Sequence, residues 1–279
     1  MNNFWTRVIS GICMIALVVF LINLGQTGIT ILAAVIGIGC HYEWLKLKNQ
    51  FTVLNMTISI VFFVIILFFR QIHLSDYGVF AKISINMFAV FLGISYFQKS
   101  GKYFNKNLIF SHLYISIPLL LFTLIPYSKG FYKQYNEMLP IMLMVLVWSS
   151  DSWAYVSGKL FGKHKLAPSI SPGKTWEGLI GGTILTGITG YLFVAYLLEP
   201  NGGFIGNNTF HTFYPLKGLL LGIFISIFGT LGDLFESSLK RKAGVKDSGN
   251  VLPGHGGMLD RFDAFLFAVV VFSIVSRIP

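Results

Sequence analysis

The chain has 279 residues, of which 54% are apolar and 11% charged, and its mean hydropathy is +0.70. A soluble domain carries about 25% charged residues, so this composition excludes an ordinary water-soluble protein. The net charge of +10 comes without a soluble nucleic-acid-binding module. We therefore expect no nucleic acid as partner and assign the positive charge to membrane topology and anionic lipid head groups.

Nine apolar runs follow one another along the chain. Several reach the ~20 residues that a helix needs to cross a bilayer, and the strict alternation of a membrane β-barrel is missing. We predict an all-α integral membrane protein, a polytopic bundle of about nine transmembrane helices. The runs lie at 8–24, 27–42, 51–69, 77–98, 107–126, 138–156, 178–198, 216–232 and 262–276.

The distribution of lysine and arginine predicts the orientation of this bundle. Residues 1–24 have the charge and apolar stretch of a signal peptide but no small-x-small cleavage site, so we predict a retained first helix. With the N-terminus in the cytoplasm, fifteen of the 21 Lys and Arg residues fall on the cytoplasmic side. This bias predicts an N-in/C-out, multi-pass protein of the cytoplasmic (inner) membrane with its active site facing the cytoplasm.

Acidic residues distinguish the later runs from the earlier ones. Run six is predicted to stop at Asp151, run eight ends at Asp233, and run nine begins after Asp260 and Asp263. Short spans with ionisable ends are typical of a hydrated cavity, because carboxylates facing lipid are costly.

We accordingly divide the chain into two parts. Residues 1–110 form an N-terminal transmembrane scaffold, and residues 111–279 form a C-terminal catalytic region with cytoplasmic loops at 157–177 and 234–261.

The connection before run seven reads Ser171-Pro172-Gly173-Lys174-Thr175-Trp176-Glu177-Gly178. Either the Ser-Pro pair or Thr-x-x-Gly predicts a helix start, with Pro172 in a first-turn position. Lys174 beside a helix N-terminus suits a phosphate, because the cation adds to backbone N–H donors. The alternative is that Lys174 and its neighbours Lys159, Lys163 and Lys165 only anchor the protein at the membrane surface.

The connection between runs eight and nine is the most charged part of the chain. If a helix continues past Gly232, then Asp233, Glu236, Ser237 and Lys240 share one face. Residues 253–257, Pro-Gly-His-Gly-Gly, predict a turn whose backbone can approach a ligand closely.

Asp260 and Asp263 lie one helical turn apart at the start of run nine. Carboxylates without thiols or clustered histidines suit Mg²⁺, which prefers oxygen ligands and substrate phosphates. Together with the cations, they indicate phosphoryl or nucleotidyl transfer to a lipid. Individually, Glu236 could simply pair with Lys240, His255 could be a turn residue, and Asp151 a buried helix-bundle partner.

These residues resemble the phosphatidate cytidylyltransferase (CDP-diglyceride synthase) family. The resemblance is carried by the following segments: Ser238-Leu239-Lys240-Arg241, Lys246-Asp247, Leu252-Pro253-Gly254-His255-Gly256-Gly257, Asp260-Arg261-Phe262-Asp263, and the upstream blocks at 150–158 and 171–178. It covers roughly residues 148 to 265. Gly173 departs from the pattern, since family members often carry a larger or basic residue there.

The resemblance implies transfer of CMP from CTP to phosphatidic acid, giving CDP-diacylglycerol and pyrophosphate. It also implies a Mg²⁺ cofactor, leaves room for a second monovalent or divalent cation, and implies a homodimer in the lipid bilayer. Asp233 and Asp260 would hold the metal, supported by Asp263 and Asp247. The remaining implied site residues bind phosphates or nucleotide: Lys240, Arg241, Lys246, Arg261, Ser171, Lys174, Ser237, His255, Gly256 and Gly257.

Two other functions remain open from the residues alone. A CTP-dependent polyprenol or lipid kinase would transfer the γ-phosphate to a lipid alcohol and release CDP. A non-enzymatic membrane transporter would use the acids as an ion pathway, although such proteins often contain paired repeats, and no repeat is evident here.

Overall fold

The protein is described by a computed structural model over residues 3–69, 106–127, 135–198, 213–251 and 256–277. The run predicted at 77–98 lies outside these residues. The elements are α1 (Asn3–Asn23), α2 (Gly25–Leu47), α3 (Val53–Phe69), α4 (Lys106–Ser111), a π-helix (His112–Ser116), α5 (Ile117–Leu124), a 3₁₀ turn (Ile125–Tyr127), α6 (Met138–Phe161), β1 (Lys165–Ala167), β2 (Ser171–Thr175), α7 (Trp176–Phe193), a second π-helix (Val194–Leu198), α8 (Phe213–Lys242) and α9 (Leu259–Val275).

Within the described residues, five helical segments are long and apolar enough to cross a membrane. They are Gly25–Leu47, Asn107–Tyr127, Met138–Phe161, Trp176–Leu198 and Tyr214–Lys242. The prediction of an all-α, polytopic membrane protein is therefore confirmed at the level of fold class. The one departure among the described elements is the short antiparallel hairpin β1–β2 between α6 and α7.

The prediction that run six stops at Asp151 is wrong. Helix α6 has 24 residues and continues through Asp151 to Phe161, and α8 has 30 residues and continues past Asp233 to Lys242. These two runs are thus long helices that contain their acidic residues, rather than short spans that end at them. The physical reason is that a carboxylate facing a polar cavity does not interrupt helical hydrogen bonding. Segments 157–161 and 234–242, expected to belong to loops, are helical.

The start of α7 follows one of the two predicted signals. The Thr175 side chain caps the helix by accepting a hydrogen bond from the Gly178 N–H at 3.1 Å. Pro172 lies in strand β2 rather than in the first helical turn, because the threonine cap fixes the helix start at Trp176.

Small residues bring α6, α7 and α8 close together, and these helices make the most extensive contacts in the described fold. On one face of α7, Gly182 packs on Ala154 of α6, and Gly190 packs on the Gly218 carbonyl of α8. Exposed isoleucines follow the opposite face, at positions 180, 184 and 188. A close-packed small-residue face backed by an apolar stripe is typical of a transmembrane helix.

Candidate active site

A cavity of about 450 Å³ lies where α6, the β-hairpin, α7 and α8 meet. Its polar lining comes from residues distant in sequence: Asp151 and Lys159 of α6, Ser171 and Lys174 of β2, and Thr230 and Asp233 of α8. Of the sequence-predicted site residues, the cavity therefore brings together Ser171, Lys174 and Asp233. Asp151 also lines the cavity. The alternative interpretation of the sequence, that Asp151 is buried inside the helix bundle, is therefore wrong.

Lys174 and Asp233 form an ion pair across this cavity. Lys174 Nζ lies 2.6 Å from Asp233 Oδ2, and both side chains are partly exposed. Ser237 Oγ, one helical turn further along α8, donates to Asp233 Oδ1 at 3.1 Å. This is the shared helix face that the spacing of Asp233 and Ser237 predicts.

The hairpin that carries Lys174 is fixed at two points. Glu177 accepts hydrogen bonds from the backbone N–H of Lys163 at 3.1 Å and from His164 Nδ1 at 2.6 Å. On the other side, Arg241 Nε donates to the Ile170 carbonyl at 3.3 Å and Nη1 donates to the Val245 carbonyl at 3.2 Å. Arg241, which the resemblance assigns to phosphate binding, thus ties the hairpin to the end of α8.

Lys240 joins two carboxyl groups beneath the polar end of α8. Its Nζ lies 2.6 Å from Glu236 Oε2 and donates to Asp260 Oδ1 at 2.7 Å. Glu236 is fully buried and Lys240 nearly so. The pairing of Glu236 with Lys240, one of the two interpretations of the sequence, is confirmed, and Asp260 is added to it.

Asp260 is also held by the backbone of the preceding loop. The Ser248 N–H donates to both of its oxygens at 3.0 and 3.1 Å, and the Gly257 N–H donates to Oδ2 at 2.8 Å. Asp260 lies in the first turn of α9, outside the five membrane-length segments. Burial opposes its ionisation, but the hydrogen bonds from Lys240, Gly257 and Ser248 outweigh burial and keep the pKa of Asp260 below its usual value.

Asp263 and Arg261 complete the acidic and basic groups near the cavity. Asp263 interacts electrostatically with Asp233, Glu236 and Asp151, so acids from α6, α8 and α9 face a common region. Arg261 has an exposed side chain and interacts electrostatically with Asp151, as Lys174 does.

The remaining predicted site residues lie in the segment between α8 and α9. Lys246 and Asp247 are exposed on the turn after α8, and Gly256 has a φ of +87°, a left-handed conformation that favours glycine. His255 lies outside the described residues.

Sequence reasoning missed one residue that contacts this region. Glu43 of α2 is fully buried and bonds to the loop before α9. It is the only acid in the first 75 residues. An isolated acid at the end of an apolar run is a signal for function, and it could have been used.

The fold and cavity together define a multi-pass membrane protein with a polar site where carboxylates and lysines from several helices converge. A family model described as the cytidylyltransferase family matches residues 5–278. The chain therefore belongs to the cytidylyltransferase family.

Individual relatives agree with this assignment. The phosphatidate cytidylyltransferase of Bacillus subtilis (strain 168) is 34% identical over 270 residues, covering 94% of each chain. That of Haemophilus influenzae is 39% identical over 195 residues, 66% of this chain and 63% of the relative. That of Staphylococcus haemolyticus is 45% identical over 147 residues, 52% of each.

Proposed function

We propose that this chain is a phosphatidate cytidylyltransferase, which transfers CMP from CTP to phosphatidic acid and releases pyrophosphate. The observation that carries the proposal is the Lys174–Asp233 pair in a cavity between membrane-length helices, in a chain of the cytidylyltransferase family. The product, CDP-diacylglycerol, is a lipid, so the enzyme acts in phospholipid biosynthesis.

The chemistry explains why lysines and arginines surround the cavity. An oxygen of the lipid phosphate attacks the α-phosphorus of CTP, and the bond between that phosphorus and the bridging oxygen to the β-phosphate breaks. Because the lipid phosphate is already ionised at neutral pH, the step needs no strong general base. Lys174 and Arg261 instead reduce the repulsion between two anions, because cations held in place beside developing charge stabilise it.

The donor set on the cavity wall fits Mg²⁺. Asp151 and Asp233 offer carboxylate oxygens there, and Mg²⁺ typically binds one or two carboxylates together with substrate phosphates. The described residues contain no group of three or more His, Cys, Asp or Glu side chains arranged to hold a metal, which agrees with a site that the substrate completes. When bound, Mg²⁺ would neutralise charge developing on the pyrophosphate.

Asp233 is the metal ligand that the geometry supports best. Lys174 pairs with it in the structure, and we propose that Lys174 turns to the triphosphate when Asp233 takes the metal. Asp260, the second ligand that the resemblance implies, is not among the residues that line the cavity, and it would have to exchange part of its contact with Lys240. Asp263 supports the same region through its electrostatic interaction with Asp233.

The other implied residues keep proposed roles that follow their positions. Ser171 lines the cavity and would bind phosphate, and Ser237 orients Asp233. We assign Arg241 to holding the hairpin. Lys240 and the Gly257 N–H fix Asp260, and Lys246, Asp247, His255 and Gly256 remain proposed contacts of the nucleotide.

We also propose nine membrane crossings, an N-in/C-out orientation in the cytoplasmic membrane, and a homodimer. The excess of lysine and arginine on one side supports the orientation. The hairpin and the polar end of α8 then face the cytoplasm, which contains CTP.

The direct test is an assay of the purified protein in detergent with phosphatidic acid, Mg²⁺ and each nucleoside triphosphate in turn. We expect CTP-dependent pyrophosphate release, loss of turnover with EDTA, and recovery when Mg²⁺ is restored. Formation of CDP from CTP and a polyprenol, without pyrophosphate, would instead support the lipid kinase.

A further inference from the structure

Glu43 connects the N-terminal helix α2 to a loop more than 200 residues later. One of its oxygens, Oε2, accepts hydrogen bonds from Ser248 Oγ at 2.6 Å and from the Leu259 N–H at 2.8 Å. The other, Oε1, accepts from the Met258 N–H at 2.8 Å. Three donors on one fully buried carboxyl group form a specific, well-satisfied contact.

Glu43 serves as the cap of α9. Met258 occupies the cap position but provides no side-chain hydrogen bond, and the first N–H groups of a helix have no partner within the helix. Glu43 supplies acceptors for two of these groups, and a negative charge at a helix N-terminus is favourable. An acid from another helix therefore replaces the local cap that the sequence lacks.

Ser248 couples Glu43 to Asp260. Its Oγ bonds to Glu43, whereas its N–H bonds to both oxygens of Asp260. Displacement of Ser248 would therefore remove two of the contacts that fix Asp260. Asp260 in turn fixes Lys240.

Two glycines of this loop are required by the same contact. A Cβ at Gly249 would lie 2.6 Å from Glu43 Oε1, and a Cβ at Gly257 would lie 2.5 Å from Oε2. Both distances are far below van der Waals contact, so larger residues would push the loop away from Glu43. The sequence predicts that the backbone of this turn approaches a ligand closely. At Gly257 the backbone instead lies against the side chains of Glu43 and Ser248.

We infer that Glu43 is a positioning residue of the transfer reaction, which holds Ser248 and the start of α9 so that Asp260 and Lys240 keep their orientation. The inference rests on the proposed cytidylyltransferase function. Glu43 acts through Ser248 and Asp260 rather than on the substrates. The helix α2 is thereby part of the catalytic apparatus as well as of the membrane scaffold.

The test compares Glu43→Gln and Ser248→Ala with the control Glu137→Gln, an acid at the start of α6 outside the site. Glutamine keeps the shape of the Glu43 side chain but replaces one carboxylate oxygen by an NH₂ group. That group cannot accept the hydrogen bonds that Ser248, Met258 and Leu259 donate to this carboxylate. Hydrogen exchange read by mass spectrometry should increase in peptides covering 247–251 and 256–262 and stay at wild-type values in α7. The turnover number per folded enzyme should fall about tenfold or more, the usual effect of losing a group that orients a site residue.

A double-mutant cycle separates positioning from general stability. If Glu43 acts through Ser248, then Ser248→Ala should reduce kcat in the wild type but have little further effect in the Glu43→Gln background. Unchanged exchange at 247–262, or faster exchange with unchanged kcat and KM, would overturn the inference. If Glu43→Gln does not fold, Ser248→Ala alone still decides the matter by the same two measurements. A wild-type enzyme without CTP-dependent pyrophosphate release would refute the proposed function, whereas the exchange result would stand independently.

Discussion

The Lys174–Asp233 ion pair contains a cation that can bind a triphosphate and a carboxylate that can bind Mg²⁺. The pair is partly exposed to the cavity, so its intrinsic contribution to stability is small. We therefore regard it as a contact that opens when substrate binds, with each partner transferring to a new group of opposite charge.

Replacing Lys174 by alanine should weaken the use of CTP. A charge-assisted hydrogen bond contributes about 1.5–3 kcal/mol, which corresponds to an increase in the KM for CTP of about tenfold or more. The Mg²⁺ requirement should remain. Steady-state assays over a range of CTP concentrations measure both quantities, with Lys165→Ala, a change at the exposed first residue of strand β1, as the control. An unchanged KM for CTP would contradict the phosphate-binding role.

Replacing Asp233 by asparagine should reduce turnover about 100-fold or more, because a neutral amide is a poor ligand for a hard cation. Asp260→Asn should have a similar effect, since it removes the negative charge of the second proposed metal ligand, which also pairs with Lys240. Both variants should remain inserted in the membrane, which fractionation can establish alongside the pyrophosphate assay. Substantial activity in either variant would refute its proposed metal-site role.

The helices α7 and α8 depend on glycine where their backbones meet. A Cβ on Gly222 would collide with the backbone of Thr186 and Gly187, whereas a Cβ on Gly173 of the hairpin would meet nothing within 4 Å. The first position is thus closed by a neighbouring helix, and the second is open.

Gly222→Ala should accordingly destabilise the protein by about 1–3 kcal/mol, the usual cost of overpacking. A thermal-unfolding assay in detergent should show a lower Tm, whereas Gly173→Ala, the matched glycine control, should leave the Tm unchanged. Equal Tm values for the two variants would contradict the close approach of the α7 and α8 backbones at Gly222.

For the molecule as a whole, the proposed orientation places the hairpin in the cytoplasm and the segment before α6 outside. In a background with Cys13 and Cys40 replaced by serine, a membrane-impermeant maleimide should label Asn136→Cys in intact cells. Lys165→Cys should react only after the membrane is opened. The reverse pattern would exclude the N-in/C-out orientation.

Much of the local structure was predictable because the relevant interactions are close in sequence. The hydropathy runs predicted where the long described helices lie, since crossing a bilayer requires a continuous apolar segment, but they did not predict that α6 and α8 continue to Phe161 and Lys242. The spacing of Asp233, Ser237 and Lys240 predicted their common face because helical geometry alone sets it. The irregular charged motif around Lys240 and Asp260 was sufficient to indicate the family.

Other features depended on contacts between segments far apart in the chain. The position of Asp151 within a continuous helix follows from the cavity beside it, and the partners of Arg241 and Asp260 come from loops folded against them. Glu43 shows the limit most clearly, because its partners lie more than 200 residues away. Composition and periodicity determine the class of protein and the helices. Only tertiary packing decides which buried carboxyl group meets which donor, because that depends on three-dimensional proximity rather than on spacing.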